Sequence, residues 1–274
     1  NYAFDVSPTT DDRPYFSHFF RWDKAASLFR QLRREFLPLV ETGTILIVAT
    51  LVQAVIGGAA VILLPLLFLR RLRTRARREV SAWNVAATLF YFGSIGLAFM
   101  FLEMALLPKY ILLLSHPIYS TAVVLGAVLF FAGWGSMTVR HVESRSLWIA
   151  VIGVCVWVLG QAFVEEHLFA WALPRPLVVR FVLTVLMVGP LSFFLGWPFP
   201  IGLRETSARF ASLVPWAWGI NGCASVVGAV LGKMISISVG FRMTMGLAAF
   251  LYLVSAMLFQ FTVREKKKGN TLAV

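Results

Sequence analysis

The 274-residue chain is 59% apolar and 14% charged, and its mean hydropathy is +0.78. A soluble globule is nearer about 45–50% apolar and about 25% charged, so a soluble enzyme, a disordered tail and a disulfide-built secreted module are excluded. The net charge of +12 comes from 25 basic and 13 acidic residues. The basic groups flank long apolar runs, which marks membrane topology rather than phosphate tracking, and nucleic acid is not an expected partner. The composition predicts an all-α polytopic integral membrane bundle with the lipid bilayer as its main partner.

The sequence begins at Asn1, shows no signal-like core before residue 42, and reads as a piece of a longer chain. Residues 1–41 form a juxtamembrane segment. Tyr15, Phe16, Phe19, Phe20 and Trp22 cluster there, followed by Leu28, Leu32 and Phe36 spaced by four among Arg30, Arg33 and Arg34. An apolar stripe beside a basic face predicts an amphipathic helix lying in the headgroup layer. An ordinary basic helix packed on loops is the alternative.

Crossing a bilayer takes about 20 apolar residues in a helix. Seven segments within residues 42–263 qualify: Thr42–Leu69, Trp83–Leu107, Ile118–Val139, Leu147–Phe163, Leu177–Leu195, Val214–Ile237 and Thr244–Val263. The fourth is the shortest. Pro108–Ser115 is too short to cross, and either extends the second helix past a proline kink or folds back. Residues 264–274 form a basic tail. Cys155 and Cys223 lie in apolar runs, and neither a disulfide framework nor a CxxC pair can be built from them.

Lysine and arginine counts orient the chain. Arg70, Arg71, Arg73, Arg75, Arg77, Arg78, Arg140, Arg145, Arg204, Arg209, Arg264, Lys266, Lys267 and Lys268 fall on one side. Lys24, Arg30, Arg33, Arg34, Lys109, Arg175, Arg180 and Arg242 fall on the other. The excess predicts a cytoplasmic C-terminus and an outward N-terminus, with the dense Arg70–Arg78 run meeting anionic lipid.

Charges inside hydrocarbon are costly, so they mark functional candidates. Glu103 and Lys233 fall inside the second and sixth spans at similar predicted depth. Either they pair in a polar intramembrane site together with Asn221, or Lys233 snorkels and Glu103 caps a neighbouring helix. Lys109, Tyr110 and His116 stand near the same boundary, His116 as a helix cap beside Pro117. Glu165, Glu166 and His167 read as a solvated loop, because adjacent helical residues face different ways and suit no single metal.

Gly228–Lys233 is not a phosphate loop: Val227 replaces its first glycine, and Met234 replaces the magnesium-binding hydroxyl residue. Ala224, Gly228 and Gly232 instead form a small-residue ridge for close helix packing. At Gly196–Gly202 the prolines 198 and 200 predict a turn where the chain leaves the bilayer, with Trp197 and Arg204 at the boundary. That turn either lines a substrate site or is a tightly specified connection. Pro215, Trp216 and Trp218 then open the sixth span, the tryptophans suited to the interface.

Several strings carry a resemblance. They are Thr10-Asp11-Asp12-Arg13-Pro14-Tyr15-Phe16, Gly96-Leu97-Ala98-Phe99-Met100 running to Glu103, His116-Pro117, Gly133-Trp134-Gly135-Ser136 and Trp197–Arg204. The most specific is Pro215-Trp216-Ala217-Trp218-Gly219-Ile220-Asn221-Gly222-Cys223-Ala224-Ser225-Val226. Together they resemble the transmembrane region of the membrane-bound spermidine synthase-like proteins, over nearly the whole chain.

The resemblance implies a bacterial inner-membrane location and an aminopropyl- or methyltransferase-like module attached ahead of Thr10. S-adenosylmethionine or its decarboxylated form would bind in that module; no cofactor, metal or catalytic residue transfers to these residues. A cytosolic module needs Asn1 inside, which conflicts with the charge count. The expected role is binding or moving a small cationic metabolite near Glu103, Asn221 and Lys233. The alternative is a non-catalytic accessory subunit of a larger membrane complex.

Overall fold

The computed structural model describes residues 8–15, 42–68, 81–139 and 146–271. The amphipathic segment after Tyr15 and the Arg70–Arg78 run lie outside the described residues. Among the described residues eight α-helices follow one another: α1 (Thr42–Phe68), α2 (Ala82–Leu114), α3 (Pro117–Thr138), α4 (Leu147–Ala172), α5 (Leu177–Leu195), α6 (Pro198–Arg209), α7 (Val214–Val239) and α8 (Phe241–Thr271). Among the described residues six stretches are long and apolar enough to cross a membrane. They are α2, α3, α4, α5 with α6, residues 211–239, and the Phe241–Phe259 part of α8. A shorter apolar stretch, Ile45–Val61, lies in α1. The fold is an all-α polytopic helical bundle, and the chain is an integral membrane protein.

One alternative is decided and two expectations from sequence are corrected. The Pro108–Ser115 segment extends the second helix: α2 continues to Leu114, with Pro108 inside it. Bundle helices packed on both sides of such a proline compensate for its missing backbone bond. The fourth span is not short, because α4 continues through Glu165, Glu166 and His167 to Ala172. Pro198 and Pro200 do not exclude helix either; they open α6. The first helical turn has no intrahelical partner for its N–H groups, so prolines there cost little.

Contacts fix the directions. Asn221 Nδ2 on α7 donates to the Phe92 carbonyl on α2 (2.9 Å), and Ser225 Oγ reaches the Gly96 carbonyl (3.4 Å). Each pair is 129 residues apart, so α2 and α7 run parallel. On α8, Met245 meets Lys109 and Phe259 stacks on Tyr91, which makes α8 antiparallel to α2. Cys155 with Ala249 and Glu166 with Arg242 show that α4 is likewise antiparallel to α8.

Small residues make the close seams. A Cβ on Gly96 would stand 2.6 Å from the Asn221 carbonyl oxygen, and one on Gly228 3.1 Å from Leu97 Cα. Gly232 sits against Phe101 and Met104, so glycines on both helices let the α2 and α7 backbones approach closely. Between α3 and α5 the approach is tighter. A Cβ on Gly135 would overlap the Phe193 carbonyl, and one on Gly196 the Ala132 carbonyl.

Gly196→Ala is therefore expected to destabilise the bundle by about 1–3 kcal/mol or more, since backbone cannot yield as a side chain does. Gly126→Ala faces open space and should be neutral or slightly stabilising, through helix propensity of up to about 1 kcal/mol. Thermal unfolding of both variants in detergent checks the contrast; equal midpoints would contradict the close seam.

Candidate functional site

The polar chemistry gathers where α2, α4 and α7 end and α3, α5 and α8 begin. Its centre is an ion pair between Lys109 of α2 and Glu165 of α4, with Nζ and Oε2 2.5 Å apart. The side chains retain only 7% and 5% of their exposure. Lys109 is thus not a boundary-loop residue: the helix that runs past Pro108 carries it inward. Glu165 and Glu166, adjacent on α4, diverge. Glu166 points outward and pairs with Arg242 of α8 at 2.6 Å.

The buried pair is under-bonded. The ammonium engages Glu165 Oε2, and the other carboxylate oxygen, Oε1, has no hydrogen-bond partner. Lys109 has one further weak contact, to Met245 Sδ at 3.8 Å. One turn earlier on α4, Gln161 Nε2 and Trp157 Nε1 both donate to the Met187 carbonyl, in the turn of α5 that Pro190 interrupts. Gln161 Oε1 is left without a partner. The Tyr110 hydroxyl, next to Lys109 and fully buried, is also unbonded; its ring meets Phe169 of α4 edge-on. Buried polar atoms in native proteins are nearly always bonded, so three such atoms in and around one ion pair are a local anomaly.

Thr10–Tyr15 closes this end of the bundle. A turn joins the Arg13 N–H to the Thr10 carbonyl (2.9 Å). The Asp12 carbonyl accepts from the Phe241 N–H (3.0 Å) and its Oδ1 from the Arg242 N–H (2.9 Å). Asp12 is therefore the N-cap of α8, supplied from a remote part of the chain. Arg13 Nε donates to the Ile237 carbonyl at the end of α7 (2.9 Å). The acid meets the positive end of one helix and the base the negative end of the other. Gly240 joins the helices at φ +94°, and a Cβ there would overlap Asp12.

Tyr15 lies over Lys233: Nζ is 3.2 Å from the hydroxyl and 4.7 Å from the ring centroid. The α2–α7 register sets Lys233 level with Met104, beside Glu103, so the two charges share a depth. No ion pair joins them; Lys233 engages Tyr15, and Glu103 has no polar partner among the described residues. Asn221 spends its amide on the Phe92 carbonyl, as a clamp between helices. Gly228 and Gly232 are buried in the same seam, while Ala224 is half-buried.

The remaining candidates are dispersed. His116 caps α3, its Nδ1 accepting from the Ile118 N–H (3.3 Å). Trp197 is buried with Nε1 unbonded, and Arg204 donates to the Val139 carbonyl (3.1 Å), both at the opposite end. Trp216 is half-buried, and Trp218 is exposed against Phe199. Arg180, absent from the sequence-level candidates, gathers the Leu113 carbonyl, the Ser115 hydroxyl and the Leu173 carbonyl at the ends of α2 and α4. No cluster of three or more His, Cys, Asp or Glu suited to a metal occurs among the described residues.

The fold and site define a helical integral membrane protein with a buried, under-bonded ion pair at one end. Comparison with protein-family models, curated proteins and solved structures finds no match to the chain.

Burial pushes the Tyr15 phenol up to about 12. A phenol raised above its unfolded value of about 10 favours docking fully below pH 10, and that contribution is lost as pH rises toward 12. Difference absorbance near 295 nm is expected to show one fewer phenolate forming toward pH 12 in Y15F than in wild type. A Tyr15 phenolate forming near pH 10 would contradict the docked arrangement.

Proposed function

We propose that the chain is the membrane domain of a spermidine synthase-like protein and binds a small organic cation at Lys109 and Glu165. The observation that carries this reading is a pair of open acceptors beside the ion pair: Glu165 Oε1 and Gln161 Oε1 are buried with no hydrogen bond. An amide oxygen and a carboxylate only accept, so the complementary ligand is a donor, and an ammonium group fits. The Tyr110 hydroxyl adds one group that can accept or donate.

Stability alone is a weak reason for such a pair. Replacing a buried ion pair by packed apolar groups is often neutral or favourable, whereas removing one partner costs about 3–5 kcal/mol. The site shifts the expected cleft from Glu103, Asn221 and Lys233 to the Lys109–Glu165 pair that bridges α2 and α4. Docking of Thr10–Tyr15 at the same end supports an attached module there. The Lys and Arg count supports a cytoplasmic C-terminus, with the Lys109–Glu165 end on the opposite face of a bacterial inner membrane.

Spermidine is the probe. Calorimetric titration of the full chain in detergent is expected to show saturable binding, and the unfolding midpoint should rise at saturation, by about 2.7 kcal/mol of stability at 100 times Kd. The double variant K109Q/E165Q, which leaves no lone charge, should fold and lose both responses. No binding to wild type, or unchanged binding to the double variant, would overturn the assignment.

A further inference from the structure

We propose that Thr10–Tyr15 is a releasable strap whose docking decides the partner of Lys233: Tyr15 while the strap is seated, Glu103 once it lifts. Seated, the strap is held at one corner of the bundle by bonds from neighbouring residues. Asp12 accepts from the Phe241 and Arg242 N–H groups, and Arg13 donates to the Ile237 carbonyl. Tyr15 meets Phe241 edge-on, with 5.9 Å between centroids, and offers Lys233 both its ring and its hydroxyl. An aromatic face stabilises an ammonium without supplying a counter-charge.

The strap is detachable because the corner beneath it is tied independently. The Ser236 hydroxyl on α7 donates to the Thr244 hydroxyl on α8 (3.1 Å), and Thr244 donates to the Gly240 carbonyl (2.8 Å); both contacts are buried. They join the end of α7 to the start of α8 inside the bundle. The strap lies outside them: Thr10 and Asp11 are exposed, and Asp12, Arg13, Pro14 and Tyr15 are only half-buried. Its bonds come from nearly consecutive residues, so they form and break together, as in a segment that seats and lifts as one unit. Water replaces such half-exposed bonds at small net cost.

Glu103 is the group placed to receive the ammonium. Asn221, Ser225, Gly228 and Gly232 turn toward α2, and Gly96, Leu97, Phe101 and Met104 turn toward α7. Successive helical residues point about 100° apart. Lys233 follows Gly232 and Glu103 precedes Met104, so in parallel helices the two emerge on the same flank of the seam. Gly232 is level with Met104, which sets them at one depth. Both are half-buried, no ion pair joins them, and Glu103 has no polar partner among the described residues. The nearby charges are otherwise engaged: Lys109 with Glu165, Asp12 and Arg13 with helix ends. An ammonium that loses Tyr15 inside a membrane span is costly alone, and its flexible stem carries it to the carboxylate. The position of the strap is thereby transmitted to the α2–α7 seam.

A membrane-permeant carbodiimide, which condenses a carboxyl with an amine in contact, reads the switch in the full chain in detergent. Mass spectrometry is expected to find the Glu103–Lys233 amide at least about tenfold more abundant in Y15A and D12A, where the strap is loosened, than in wild type. Equal yields in wild type and variants, or no amide in a folded variant, overturn the proposal. Failure of both variants to fold overturns it too, since the strap would then be a fixed part of the bundle. Thermal midpoints supply a second readout. E103Q should leave wild type unchanged or raise it slightly, but lower Y15A by about 2–4 °C, because only there does Glu103 hold Lys233. Additive shifts in that cycle overturn the exchange of partners.

Discussion

The cost of an uncompensated charge away from water is the constraint on which this bundle turns. Lys109 and Glu165 reduce that cost only by meeting, and meeting dictates the lengths of two helices. α2 must run past Pro108 to deliver Lys109, and α4 must run past Phe163 to deliver Glu165. A proline that normally stops a helix is accommodated because the turn beyond it holds a residue that must be inside. Tyr110 and Phe169 continue the same seam, so the contact that neutralises the charge also closes the apolar packing around it.

The same logic governs the ends of the helices, where unpaired backbone groups stand in for charge. Asp12 serves the first N–H groups of α8, Arg13 the last turn of α7, Arg180 the ends of α2 and α4, and Arg204 the end of α3. Four charged side chains thus cap helices they do not belong to. Part of the basic excess, read from sequence as an orientation signal, consists of these caps. The two readings are compatible, because a cation at a helix C-terminus also lies at the membrane boundary.

The spans were legible because composition is a local property: twenty apolar residues in a row need no partner to be recognised. The site was not, because its parts cancel each other across the chain. Glu165, Glu166 and His167 together look too polar for a helix inside a membrane protein. Only the remote Lys109 and Arg242 make two of the three admissible there. Lys109 was read only as a boundary residue, because Pro108 left open whether the helix continued through it. Asn221 carried the right type of chemistry for a polar cleft, yet the close approach at Gly96 placed the Phe92 carbonyl within its reach. The Thr10–Tyr15 string stood out only through its resemblance, since capping α8 from residue 12 is a tertiary fact without a periodic signature.

The seams differ in what holds them, and this bears on where the site is able to adapt. α2 and α7 meet through backbone at Gly96, Gly228 and Gly232, and α3 and α5 through backbone at Gly135 and Gly196. Backbone contacts of that kind lack flexible atoms and resist relative displacement. α4 is attached otherwise: Gly153 faces the Phe194 ring, Gly160 faces open space, and Trp157, Gln161 and Glu165 reach their partners through side chains. Side chains change rotamer at far lower cost than helices change separation. An adjustment at Glu165 is therefore absorbed most cheaply by α4 against the fixed pairs α2–α7 and α3–α5. The under-bonded acceptors lie on that compliant helix, while their lysine counter-charge is carried on a rigid one.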